Sequence, residues 1–318
     1  MQLLVKSAFL LLAGLVFFAI AGLVATWAPD KTVEELKGRW APPPSQFLEI
    51  DGLRVHLRDE GPRDDPVPIV LIHGTSDSLH TWDGWAAVLQ RQRRVIRFDL
   101  PGFGLTGPDQ DNDYSAARYV KFVAAVLDRL GVQRCVLAGN SLGGQIAWSV
   151  AAAMPDRVDK LILVDASGYP PESVTTPRSI PLGFRIASMP WARPLMEHTL
   201  PRGIVQSSVR NVYGDPAKVT PELVDLYFAM ALRAGNRAAL GRRMDQGYTG
   251  DVSQLKKIAA PTLVLWGGKD KLVPTEFGPR FVRDIPNAKL VVFDELGHVP
   301  QEEDPARTVA EVKRFLGL

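Results

Sequence analysis

The 318-residue chain carries 37 Lys and Arg against 35 Asp and Glu, a formal charge of +2, with 46% apolar residues and a single cysteine. Near-neutral charge without a basic stripe interleaved with aromatics excludes nucleic acid as a partner. The lone Cys135 excludes an intrachain disulfide or a multi-cysteine metal site, and the apolar fraction excludes a disordered chain.

Residues 7–28 contain no ionisable side chain. As a helix rising 1.5 Å per residue they would reach roughly 33 Å, the width of a bilayer core. The run therefore reads as a retained single-pass anchor at residues 1–28, which makes the lipid bilayer a partner and the membrane the location. Flanking charges leave the side of the membrane open. A cleaved signal peptide is the alternative, since Lys6 precedes the run and Ala19-Ile20-Ala21 has the small-x-small form. Residues 29–45, with Pro42-Pro43-Pro44, read as a stiff extended spacer.

A globular domain begins near Gln46. Two short strand-like runs flank Asp51-Gly52, a strong hairpin signal, and His56 alternates along the second as an ordinary strand residue. Pro68-Ile69-Val70-Leu71-Ile72 is a continuous apolar run of the kind buried on both faces, ending in His73-Gly74-Thr75. Helical spacing follows around Trp82, then a strand at residues 94–98 closing in Asp99-Leu100-Pro101-Gly102-Phe103-Gly104. Another helix covers residues 115–130, and strands recur at residues 135–138 and 161–164. Strands alternating with amphipathic helices predict a parallel sheet covered on both faces.

That rhythm breaks over residues 168–250, where no buried strand is visible and short helical pieces recur. Ten Lys and Arg against six Asp and Glu make this stretch mildly basic. It reads as an inserted helical cap, splitting the core into residues 46–167 and 251–318; His198 within it is a surface or packing residue. The sheet resumes at Thr262-Leu263-Val264-Leu265-Trp266, then Gly267-Gly268-Lys269-Asp270, and a last strand at residues 290–293 leads into Gly297-His298.

Between the strand at residues 135–138 and the next helix stands Gly139-Asn140-Ser141-Leu142-Gly143-Gly144. A serine at the apex of such a turn lifts its hydroxyl clear of the sheet, and the glycines remove Cβ atoms that would collide. In an open parallel sheet, sites lie at the carboxyl ends of strands. Here those ends carry His73, Asp99, Ser141, Asp165, Asp270 and His298. A serine hydroxyl needs a base within hydrogen-bond reach, and the base needs an acceptor to fix its tautomer. His298 is the candidate base for Ser141. Asp270 can hold His298, and Asp165 is the alternative carboxylate at a strand end.

Four signatures in order, His73-Gly74, Asp99-x-Pro101-Gly102-x-Gly104, Gly139-x-Ser141-x-Gly143, and the late Asp270 and His298, resemble the α/β-hydrolase superfamily in its capped serine esterase, monoacylglycerol-lipase-like branch. The likeness runs from about Phe47 to the C-terminus. It implies a mostly parallel eight-stranded sheet with helices on both faces and an inserted helical cap. It also implies an oxyanion hole from the N–H groups of Thr75 and Leu142, structural roles for His73 and Asp99, and no metal or organic cofactor. The expected activity is hydrolysis of a small-molecule carboxylic ester, lipid-derived or apolar, through an acyl-enzyme on Ser141. Alternatives are carbon–carbon bond hydrolysis of ring-cleavage products, cofactor-free haloperoxidase-type activity, and a binding or scaffold relative without chemistry. Epoxide hydrolases and haloalkane dehalogenases share the fold but place aspartate where this chain has Ser141.

Overall fold

Asp51 and Gly52 both take positive φ, 50° and 78°. That two-residue turn folds β1 (Gln46–Ile50) back on β2 (Leu53–Glu60), with Ile50 opposite Leu53, the twist that suits an antiparallel pair. The computed structural model describes residues 2–170, 179–247 and 250–318. In it the hairpin forms one edge of an eight-stranded sheet, ordered β1-β2-β4-β3-β5-β6-β7-β8. The other strands are β3 (Ile69–Ile72), β4 (Val95–Phe98), β5 (Cys135–Asn140), β6 (Val158–Val164), β7 (Thr262–Gly267) and β8 (Ala288–Phe293). β2 meets β4 antiparallel, and every later neighbour pair is parallel.

The central strands β3, β4, β5 and β7 bury every side chain because helices cover both faces, which is why β3 is an unbroken Ile, Val and Leu run, whereas β8 at the sheet edge is partly exposed. On one face Tyr119, Phe122 and Trp148 pack down from the helices Ala116–Arg129 and Leu142–Ala153. On the other, Trp82, Trp85, Val309 and Val312 do so. Each such side chain contributes about 1.5–3 kcal/mol by leaving water. Trp148 also donates its indole N–H to Ser167 O at 3.0 Å, fastening the helix after β5 to the loop after β6.

Among the described residues between β6 and β7 the chain forms helices rather than strands, including Leu182–Ala187, Arg202–Val212, Pro221–Leu232 and Asn236–Asp245. Val209, Tyr213, Val219 and Val224 of this layer pack on Val299, from the loop after β8. The stretch expected as a cap includes residues 171–178 and 248–249, which lie outside the described residues.

The N-terminal expectations are corrected. Gln2–Ala25 is helical, but among the described residues no helix is long and apolar enough to cross a membrane. That finding overturns the retained anchor, the membrane location and the bilayer partner. The chain leaving the helix is built into the cap-side layer: Ala28 N–H donates to His198 O at 2.9 Å, Leu200 N–H to Thr26 O at 3.0 Å, and Lys31 N–H to Leu232 O at 2.7 Å. Trp27 stacks on His198. Nor is the following stretch an extended spacer throughout. Thr32 and Glu35 form a reciprocal capping box that starts the helix Val33–Trp40, and its Leu36 is buried beside Leu105, Ala229 and Met230. A Thr-x-x-Glu pattern satisfies two otherwise unpaired N–H groups and so nucleates a turn of helix ahead of the prolines.

Candidate active site

Ser141 follows β5 directly with φ 54° and ψ −116°, a backbone state that costs a non-glycine residue about 1–3 kcal/mol. Neighbouring bonds hold it there. Ser141 N–H donates to Val164 O, and its carbonyl accepts from Gln145 N–H and Ser167 N–H, all at 3.0 Å. The helix Leu142–Ala153 can start this close to β3 only because residue 143 is glycine: a Cβ there would stand 2.5 Å from His73 O and 2.7 Å from the Ile72 carbonyl carbon. Leu142 opens the helix, so its N–H is one of the first-turn donors without an intrahelical acceptor, at the positive end of the helix dipole.

The loop after β7 brings in Asp270, and the loop after β8 brings in His298. His298 Nδ1 lies 2.7 Å from Asp270 Oδ2, and both side chains are buried. The other carboxylate oxygen, Oδ1, accepts from Leu272 N–H at 2.7 Å and Val273 N–H at 3.0 Å, which fixes the carboxylate plane. With Nδ1–H donated to Asp270, Nε2 carries the ring's lone pair. Ser141, Thr75, Leu142 and His298 line one cavity.

Asp165 is brought to the same corner in a different state. Its backbone has φ 44°, its Oδ1 accepts from Gly267 N–H at 2.9 Å, and its Oδ2 is buried without a hydrogen-bond partner. Burial and the neighbouring Asp270 carboxylate push its pKa well above the ordinary aspartate range, so it favours the neutral acid. Ligand atoms of Asp165, Asp270 and His298 lie within 4.8 Å of one another. His298 Nδ1 is engaged by Asp270 within this cluster, so the aspartate orients the ring.

Several positioning residues escape sequence reasoning. Asn140, buried at the end of β5, donates Nδ2–H to His298 O at 2.9 Å and Val164 O at 3.1 Å, tying the histidine loop to the sheet. Glu303 accepts from Gly297, Gly214 and Asp215 N–H at 2.8–2.9 Å, and His298 N–H donates to Val212 O at 2.7 Å. The histidine loop is thus held from the sheet, the helix Pro300–Glu303 that follows it and the cap-side layer. Asn140 adjoins the serine and Glu303 closes the short helix Pro300–Glu303, but nothing in their spacing announces these bonds.

His56 departs from the ordinary strand residue expected. It is fully buried, with Nδ1 2.7 Å from Asp99 Oδ2 and Nε2 3.0 Å from Ser45 Oγ. Asp99 also accepts from Leu79 and Leu105 N–H at 2.7 Å. Although burial opposes its ionisation, His56 and the neighbouring histidines hold its pKa far below the usual range. His73 accepts from Leu100 N–H at 2.9 Å on Nε2, so Nδ1–H donates to Gly74 O at 2.7 Å. Burial lowers its pKa and keeps it neutral. Both histidines shape loops around the site.

The cavity above Ser141 measures about 450 Å³, within the range of small-molecule sites. Phe184, Met196, Leu200, Ile204, Val205 and Met244 give it an apolar wall, and Arg185, Arg237 and Arg243 also line it.

Residues 67–305 match the family model for the alpha/beta hydrolase fold. The chain is 32% identical over 294 residues to 2-hydroxy-6-oxononadienedioate/2-hydroxy-6-oxononatrienedioate hydrolase of Burkholderia vietnamiensis, covering 86% of this chain and 95% of that one. Among solved structures it is similar to a membrane phospholipase A described as a bacterial virulence factor, with 27% identity, TM-score 0.72, and 100% and 98% of the two chains covered. It is also similar to a putative lipase of Acinetobacter baumannii, with 25% identity, TM-score 0.73, and 90% and 96% covered. With three quarters of its length inside that family model and its strands in this order, the chain belongs to the α/β-hydrolase family.

Proposed function

We propose that the chain is a serine hydrolase that cleaves carboxylic esters, with Ser141 as nucleophile, His298 as general base and acid, and Asp270 as the group that orients and charge-stabilises His298. His298 Nε2 takes the Ser141 proton as Oγ attacks the acyl carbon. The tetrahedral oxyanion is held by the N–H groups of Thr75 and Leu142, and His298 returns the proton to the departing alcohol. Water then enters, gives its proton to His298, and releases the acid as Ser141 recovers its hydrogen. The observation that carries this reading is the 2.7 Å bond between His298 and Asp270 beside a strained serine elbow in a shared cavity. The likeness to a phospholipase A and a lipase supports an ester as substrate.

A second reading, hydrolysis of a carbon–carbon bond in a ring-cleavage product, is supported about equally by the 32% identity to a 2-hydroxy-6-oxo dienedioate hydrolase over nearly all of that enzyme. The same serine, histidine and aspartate would serve it. Initial rates over an ester panel graded by acyl length, run beside a diketone ring-fission substrate, separate the two. Esters at least tenfold faster in kcat/KM favour the first reading; the reverse order favours the second.

A further inference from the structure

Beside the main cavity lies a smaller chamber of about 40 Å³, sharing Ser76, Asp77, Ala231, Arg237 and Leu240 with it. At about 10–15 Å³ per water-sized group, it has room for roughly three, which suits a carboxylate but not a ring or an acyl chain. Arg237 is 6% exposed. Its Nη2 is 2.6 Å from Asp30 Oδ1, while its Nε and Nη1 are buried and have no hydrogen-bond partner. A guanidinium is always charged, and an unmet buried donor is unfavourable, so this side chain invites an acceptor. Asp30, at 40% exposure, is partly screened by solvent.

The surroundings favour negative charge. Arg185 and Arg243 line the main cavity with Arg237, and Arg243 Nε is likewise buried without a partner. Asp77 is the one acidic residue among the described lining residues. Burial and Glu302 push its carboxyl well above the ordinary range, so it contributes a proton rather than a repelling charge. Asn236 spends Nδ2 on Gly104 O at 2.9 Å and Met230 O at 2.8 Å, leaving Oδ1 as an acceptor for a water that accompanies the anion.

We infer that this side chamber is an anion subsite, in which Arg237 binds a carboxylate on the part of the substrate remote from the bond cleaved at Ser141. The inference deepens the proposed ester hydrolysis and rests on that reading of the main cavity. The preferred substrate is then the monoester of a dicarboxylic acid, or an ester of similar length ending in an acid, rather than a wholly apolar ester.

The test compares 4-nitrophenyl monoesters of straight-chain dicarboxylic acids with methyl-terminated esters of equal length, using the full chain. Wild type should favour the acid-terminated partner at one or more lengths by roughly 10–100-fold in kcat/KM, the range of a charge-assisted hydrogen bond. Arg237→Met should bring the ratio to about one, and Arg237→Lys should leave it intermediate. Asp30→Asn should raise it, because the guanidinium loses a competing carboxylate; a purely structural Arg237–Asp30 pair would move the ratio in neither variant. If Arg237→Met does not fold, the Asp30→Asn arm and wild-type calorimetry with adipate still decide. Neutral-ester turnover through Ser141 with no acid preference at any length, or adipate binding unchanged by Asp30→Asn, overturns the subsite alone. Absence of turnover on both ester series overturns the ester reading, while adipate binding, tightened in Asp30→Asn, would still support the subsite.

Discussion

Glycine-to-alanine substitution should have opposite signs at two positions. At Gly143 the added Cβ would meet Ile72 O, with His73 O at 2.5 Å and the Ile72 carbonyl carbon at 2.7 Å. All are backbone atoms at the end of a central strand, so no side chain can swing away. Overpacking costs about 1–3 kcal/mol, and rigid neighbours put this case at the upper end. For a domain of this size that lowers Tm by about 4–5 °C. Relief by a shift of the helix would carry Ser141 with it, and a displacement of ~1 Å costs on the order of 100-fold in rate. At Gly38, exposed within the helix Val33–Trp40, a Cβ meets nothing within 4 Å. Alanine there should add about 0.5–1 kcal/mol by restricting the unfolded chain. Differential scanning calorimetry and initial rates on 4-nitrophenyl acetate read both variants. A Gly143→Ala protein with wild-type Tm and rate would refute the account of the elbow.

Asp270→Asn should lower kcat on the order of 10⁴-fold, as loss of a triad aspartate does, whereas Asp165→Asn should cost far less; the reverse ranking would move the orienting acid to Asp165. Asp165 has a further pH signature: its raised pKa means that stability is fully present below the ordinary aspartate value and is lost as pH rises through the raised one. Asp165→Asn should therefore melt progressively higher than wild type between pH 4 and 8, and a difference that does not grow with pH would contradict the buried neutral acid. Asn140→Ala removes the bonds to His298 O and Val164 O; kcat should drop roughly 10–100-fold with about 1–2 kcal/mol of stability lost. An unchanged kcat would show that the histidine loop does not depend on that clamp.

Elements that depend on local chemistry were legible in the residues. Unbroken apolar runs marked β3, β5 and β7 because burial on both faces leaves a strand no polar side, and Asp51-Gly52 marked the hairpin because its turn needs two positive φ values. Ser141, Asp270 and His298 could be singled out because strand ends in a parallel sheet converge. The loop at residues 267–274 resembles the family's acid loop and points to Asp270 over Asp165, and the 2.7 Å pairing agrees, although only a few ångströms between loops separate the two carboxylates. His56 looked ordinary because its partner, Asp99, lies 43 residues away. The N-terminal stretch misled for a related reason: apolar composition reports what a helix could bury, while the hydrogen bonds of Ala28, Lys31 and Leu200 to partners far along the chain are set by tertiary docking. The side chamber was equally hidden, since an arginine in a basic helix reads as surface until its burial is seen.

The central claim is a covalent acyl-enzyme on Ser141. Wild-type protein mixed with 4-nitrophenyl acetate and quenched in acid within milliseconds, then digested for peptide mass spectrometry, should carry an acetyl group on the peptide containing Ser141. The label should accumulate as a burst, and Ser141→Ala should show neither burst nor label. Turnover of the ester with Ser141 unmodified at every quench time, and retained in Ser141→Ala, would contradict the account.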